Sequence, residues 1–369
     1  MRSLDLDALV RDRTKRIIVC CGSGGVGKTT LAAALALRGA ELGRRTVVLT
    51  IDPARRLAQA LGLEELDNTP HPVPGINGEL HAMMLDMKST LDDMVLAYAK
   101  PERAEEILTN PFYESISSSL AGTQEYMARE KLGQLAADTR WDVIVVDTPP
   151  SRSALDFLDA PRALAGFWDS RMARLLVAPA RASGRGMLKA FSLSLTLVHK
   201  VLSKVVGAQL LKDAGAFMSA AESLFGGFQQ RAERTYALLA ADQTAFVVIA
   251  APRAESMDEA SYFADRLVRD DMPFAGFVVN RVVQDTVSEL DAGASLRAAQ
   301  VASSPVAAAA LRLHAGVAKE ATHQQVLIAE LAAGHPDCSV ATISGYNEAI
   351  NDLDDLRGVF PELEPAPAK

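Results

Sequence analysis

Short runs of apolar, largely β-branched residues recur along the chain, and each stops at a loop signal. They are Arg16–Cys21 (RIIVCC), Thr46–Thr50 (TVVLT), Asp142–Asp147 (DVIVVD), Phe246–Ala250 (FVVIA) and Phe274–Asn280 (FAGFVVN). Leu80–Leu85 and Cys338–Ile343 extend the series. Strands this continuously apolar are covered on both faces, as in a parallel sheet. Patterns of helical period lie between many of them, for example TTLAAALALRGAEL and MDEASYFADRLVRD. Strand–helix alternation predicts a doubly wound, mostly parallel α/β fold.

Two stretches interrupt the alternation. Ser151 to Asp242 contains no convincing strand and is too long for an ordinary crossover. Within it, Gly186–Leu211 has a clear helical period, with Lys189, Ser192, Thr196, His199, Lys200, Ser203 and Lys204 on one face. Leu188, Phe191, Leu195, Val198, Leu202 and Val205 share the other. A second helical stretch runs from about Ser89 to Ala137. The expectation is one domain over residues 1–369, with a helical subdomain at approximately 89–137 and 155–240 inserted into the sheet-bearing core. The apolar face of the Gly186–Leu211 helix either packs inside that subdomain or lines a groove for a hydrophobic client.

Composition narrows the classes. The 369 residues carry a net charge of −8, which argues against nucleic acid as a partner. The three cysteines, Cys20, Cys21 and Cys338, form no C-x-x-C pair, so no zinc site or disulfide framework is visible. This suits a reducing cytoplasm. The opening MRSLDLDALVRDRTKR lacks the apolar run of a signal peptide, and no stretch has the uncharged apolar length of a membrane span. A cytoplasmic protein is expected, with the inner face of the membrane as an alternative peripheral location.

The sharpest chemical signal is Gly22–Thr29, GSGGVGKT, which fits the phosphate-loop pattern G-x-x-x-x-G-K-[ST]. It follows a β-type run and opens a helical one, the context the motif requires. Gly22, Ser23, Gly24, Gly25, Val26 and Gly27 would form a loop whose backbone N–H groups cradle phosphate oxygens. The helix N-terminus adds partial positive charge. Lys28 reaches the β- and γ-phosphates, Thr29 offers a hydroxyl to Mg²⁺, and Thr30 is placed near the α-phosphate. A magnesium nucleotide is the implied cofactor. Asp147, at the end of an apolar strand, reads either as a magnesium carboxylate or as a cap for the next turn; beside the phosphate loop the magnesium role is favoured. Asp52 ends the second strand. Ligands in open α/β sheets sit beyond the carboxyl ends of the strands, where these segments converge.

GSGGVGKTT, DPARRL and DTPPS together resemble the ArsA-type ATPases, as do AGTQEYMARE (Ala121–Glu130) and FAGFVVNRV (Phe274–Val282) in the same order. That family includes the arsenite-pump ATPase and the ATPase that delivers tail-anchored membrane proteins. The resemblance is nearest to the ArsA-like anion-transporter ATPases of actinobacteria, where two such paralogues occur together. It implies a dimeric phosphate-loop fold with helical subdomains, coupling ATP turnover to anion or solute export or to membrane-protein handling. It implies that Asp52 positions the attacking water, that Asp147 serves Mg²⁺ through water, and that Asn280 reads the adenine edge.

The departures from the family pattern are specific. The family loop usually reads G-K-G-G-V-G-K-T, and its first lysine crosses the dimer to the partner's nucleotide; Ser23 stands there. D-P-A-H becomes Asp52-Pro53-Ala54-Arg55, and the switch histidine after Asp147 is absent. Arg55, Arg56 or Arg152 could supply the missing charge, or the chain could pair with a lysine-bearing paralogue, the reading favoured here. The family's metalloid-binding cysteines and its C-x-x-C zinc pair are also missing. A targeting factor for hydrophobic segments and a nucleotide-sensing subunit with little turnover remain alternatives.

Overall fold

The computed structural model describes residues 2–111, 113–114, 124–149, 217, 228–284, 287, 290–345, 350 and 352–359. The Gly186–Leu211 helix and Arg152 lie outside the described residues.

The strands are β1 (Arg2–Ser3), β2 (Ile17–Gly22), β3 (Thr46–Thr50), β4 (His71–Pro72), β5 (Leu80–Met84), β6 (Val143–Asp147), β7 (Thr244–Ala250), β8 (Phe274–Val282) and β9 (Ser339–Ser344). They form a nine-stranded sheet in the order β1-β9-β8-β7-β2-β6-β3-β5-β4. Neighbours pair in parallel except β4 with β5. This is the expected doubly wound α/β sheet. The longer strands coincide with the apolar runs to within about two residues at each end, as boundary reading allows. The two-residue strands β1 and β4 are too short to carry a period.

The helices are α1 (Leu6–Arg11), α2 (Lys28–Glu41), α3 (Arg56–Ala60), α4 (Met87–Tyr98), α5 (Pro101–Leu108), α6 (Gln124–Ala137), α7 (Phe228–Leu239), α8 (Ala254–Arg269), α9 (Ala292–Val301), α10 (Pro305–Gly334) and α11 (Leu353–Gly358). Strand–helix alternation does not announce α9 or α10. The long α10 is alanine-rich and buries Ala308, Ala315, Ala318 and Ala321, small residues that leave little periodic contrast in the sequence. Among the described residues no helix is long and apolar enough to cross a membrane.

Two compact units emerge from the packing: Met1–Met84 with Ala136–Leu155 and Leu238–Lys369, and Leu85–Leu135 with Asp156–Ala237. The first holds the sheet. Every residue of β2 is buried. In α2 the run from Leu31 to Leu37 is buried throughout and shares one core cluster with Val48, Val143, Val145 and Val247. At the start of the strands Arg44 donates to the carbonyls of Val10, Asp12, Lys15 and Asp142, tying the approaches to β2, β3 and β6 together. Arg16 likewise donates to the Ala136 and Trp141 carbonyls, so the cavity of about 300 Å³ that both arginines line is framed by guanidinium groups spent on the main chain.

Candidate nucleotide-binding site

The phosphate-loop residues occupy the turn between β2 and α2, at the carboxyl end of a central strand. Two glycines there are required by geometry. Gly22 has φ +148°, and a Cβ on it would sit 2.1 Å from the Ile249 carbonyl oxygen of the adjacent β7. Gly27 caps α2 with φ +99°, and a Cβ there would lie 2.3 Å from the Asn280 side-chain nitrogen. Side-chain-bearing residues cannot follow this path without displacing backbone or Asn280. Gly24 and Gly25 are exposed and Val26 is buried. Thr29 and Thr30, in the first turn of α2, are half-buried.

Lys28 is only 7% exposed, an unusual place for an ammonium group. Its Nζ donates to the Ser23 carbonyl at 2.8 Å and the Gly22 carbonyl at 3.1 Å. Burial pulls its pKa down, and the nearby carboxylates of Asp147 and Asp52 pull it back up. Asp147, at the end of β6, is fully buried. One of its oxygens, Oδ2, accepts from Thr50 Oγ1 at 2.9 Å, a contact set by the β3–β6 register that places Thr50 opposite Asp147. The other, Oδ1, is buried without a hydrogen-bond partner. Burial raises the Asp147 pKa to about 6 against the opposing pull of Thr29, Thr50 and Lys28.

An orphaned carboxylate oxygen of this kind costs free energy unless something fills the gap. A hard cation takes oxygen ligands, and the Thr29 hydroxyl lies close enough to Asp147 to favour its charged form. The Thr29 hydroxyl and the Asp147 carboxylate therefore form a donor set that fits a hard cation such as Mg²⁺.

Asp52 lies just past β3, half-buried, with Oδ1 accepting from the Ala54 N–H at 3.0 Å, an Asx turn that fixes its position. Arg55 and Arg56 are exposed, and Arg55 faces Glu65 at 3.6 Å. Asn280, on β8, donates from Nδ2 to the Val26 carbonyl at 2.8 Å and accepts on Oδ1 from the Arg281 N–H at 2.9 Å. It therefore borders the loop, and reading an adenine edge would mean sharing or releasing these contacts. Ser23 pairs its Oγ with Ser256 Oγ at 2.9 Å. The motifs assign no role to Ser256, to Thr50, or to Thr148, whose hydroxyl donates to the Cys20 carbonyl at 2.8 Å. Register and packing bring Ser256 to the loop, Thr50 to Asp147 and Thr148 to β2. Cys20 and Cys21 are buried strand residues whose thiols burial holds protonated, in line with a packing role.

The family model for anion-transporting ATPases, ArsA_ATPase, matches residues 15–303, which include the loop and the ends of β3, β6 and β8. The chain belongs to this family. Curated relatives include the ATPase GET3 of Malassezia globosa, 29% identical over 43% of this chain and 46% of that protein. The arsenical pump-driving ATPase of Escherichia coli is 33% identical over 40% of this chain and 26% of its own length. The protein Rv2184c of Mycobacterium tuberculosis is 35% identical over 40% of this chain and 37% of its own length. The aligned part spans less than half the length of each of these relatives.

Proposed function

We propose that this chain binds Mg-ATP and hydrolyses it to ADP and phosphate, coupling turnover to anion or solute export or to membrane-protein handling as part of a dimer. The observation that carries the reading is the buried pair at the sheet's carboxyl edge. Lys28 rests on main-chain carbonyls of its own loop, and Asp147 holds an oxygen with no partner. Phosphate oxygens would offer Lys28 stronger, charge-assisted bonds than the Ser23 and Gly22 carbonyls.

Each residue takes a role in this reading. Backbone N–H groups from Gly24 to Thr29 face the phosphates, with Thr30 toward the α-phosphate. Lys28 meets the charge on the β- and γ-phosphates and stabilises what develops in the transition state. Thr29 and Asp147 would hold Mg²⁺, which supplies neutralising charge at the phosphates when bound. Asp52 orients the water that attacks the γ-phosphorus. Asn280 approaches the base from β8.

The test is paired. Asp52→Asn should keep Mg-ATP affinity by calorimetry while lowering single-turnover phosphate release tenfold or more, because water positioning matters mainly for the chemical step. Full turnover by Asp52→Asn would remove Asp52 from the mechanism.

Ser23 favours a specific form of this reading, a chain that binds ATP well and turns it over slowly alone. Its hydroxyl is engaged within the chain by Ser256 and offers no cation to a partner's nucleotide. A lysine-bearing paralogue in a mixed dimer would supply that cation. Cations of this kind contribute on the order of 10³ to 10⁵ in rate in the arginine-finger case. Single-turnover rates with and without the paralogue decide it, and brisk hydrolysis by the chain alone would sink the missing-lysine reading.

A further inference from the structure

Ser256 lies in the first turn of α8, more than two hundred residues along the chain from the phosphate loop, and is only 6% exposed. Its Oγ accepts from the Ala251 N–H at 3.0 Å, which ties the end of β7 to the start of α8. The same oxygen meets Ser23 Oγ at 2.9 Å. Ser23 is thus held on two sides, its side chain by Ser256 and its carbonyl by Lys28 Nζ at 2.8 Å. The preceding residue, Gly22, is pressed against the β7 carbonyl of Ile249, so the loop leaves the sheet against the strand that also positions Ser256.

We propose that Ser256 is a positioning residue for the phosphate loop, holding the Ser23 hydroxyl so that the loop keeps its phosphate-binding shape before nucleotide arrives. A loop of glycines loses much conformational freedom when it is fixed. A side-chain bond that fixes part of it in advance removes some of that cost from nucleotide binding. The bond also gives the serine at position 23 a use of its own: it ties the loop to β7 and α8 of the same chain. The proposal rests on the loop being the nucleotide site.

The experiment is a double-mutant cycle on Ser23→Ala and Ser256→Ala, reading Mg-ATP affinity by calorimetry and unfolding of the nucleotide-free protein by heat. Lys28→Ala is measured in the same assay. Each single change should weaken ATP affinity by about three- to tenfold, the span of one neutral hydrogen bond. The double variant should be no weaker than either single, because both remove the same bond. The two should separate in stability. Ser23→Ala should leave the melting temperature nearly unchanged, whereas Ser256→Ala should lower it by stranding the Ala251 N–H. Unchanged affinity in Ser23→Ala, or losses that add in the double variant, would overturn the proposal and leave Ser256 as a cap for the β7–α8 turn. If wild type and Lys28→Ala bind ATP equally, or neither binds, the nucleotide-site reading falls and this proposal with it. A loss in Lys28→Ala without coupling between the serines defeats the serine proposal alone.

Discussion

Each unit buries a carboxylate, Glu130 in one and Asp147 in the other, and the two are handled in opposite ways. In the unit that carries α6, Glu130 is 5% exposed yet fully partnered. Arg231 meets it at 3.3 Å and the Tyr98 hydroxyl donates to it at 3.2 Å. The Arg231 guanidinium also lies 4.1 Å from the Tyr98 ring centre, and neighbouring Lys131 pairs with Asp93 at 3.0 Å. In the sheet-bearing unit, Lys28 leans on carbonyls and Asp147 keeps an oxygen unsatisfied. A buried charge with its partners in place holds structure together. One left short of partners inside a folded core carries a cost that a ligand can relieve. The contrast separates the two clusters without reference to any motif.

Mutation should expose the difference. Glu130→Ala removes the centre of the paired cluster and leaves Arg231 facing a buried gap. Breaking a buried pair from one side costs about 3–5 kcal/mol. Denaturant unfolding should show a loss of that order, and a loss below about 1 kcal/mol would mean that water already serves the cluster. Lys28→Ala should do the reverse. Among the described residues its Nζ meets main-chain carbonyls and no carboxylate at hydrogen-bond distance, so the melting temperature should move little. Turnover should fall by about a hundredfold or more, as for loss of one transition-state donor. A folded Lys28→Ala protein with unchanged nucleotide affinity and turnover would count decisively against the site.

How far the sequence reaches differs between these clusters for a physical reason. The phosphate loop is local: glycine spacing, a preceding apolar strand and a following helix all lie within a short span, so Gly22 to Thr30 can be read directly. Asp147 and Asp52 are legible as strand-end carboxylates, because a parallel sheet gathers its carboxyl ends on one edge. The orphaned Oδ1 is not legible, since it depends on Thr50 standing opposite Asp147 in the β3–β6 register. Ser256 is hidden for the same reason: its partner is fixed by β2 lying beside β7. In α6, Arg129, Glu130 and Lys131 are three consecutive charged residues, a type rarely buried, and all three are buried. Pairing partners from α4 and α7 decide that outcome for Glu130 and Lys131, and no periodicity within α6 announces them.

The smallest effect sharpens the comparison most, because it predicts a gain. The folded pKa of Asp147 is raised to about 6, above the ordinary 3.8. A carboxyl whose folded pKa lies above its unfolded value binds protons more readily when folded. It therefore destabilises the fold fully above about pH 6, and the penalty fades as pH falls toward 3.8. At neutral pH the cost is on the order of 2–3 kcal/mol. Asp147→Asn keeps an acceptor for the Thr50 hydroxyl and removes the charge. The nucleotide-free variant should melt higher than the parent at pH 7.5, and the gap should close as pH approaches 4. The same substitution should remove magnesium-dependent turnover, and in the parent, affinity for Mg-nucleotide should weaken below about pH 6 as Asp147 takes up its proton. Melting curves across that range, with and without Mg-ADP, test both halves. A variant less stable than the parent at pH 7.5 would show that the Asp147 charge is already compensated within the fold, which would remove the distinction between this cluster and the one around Glu130.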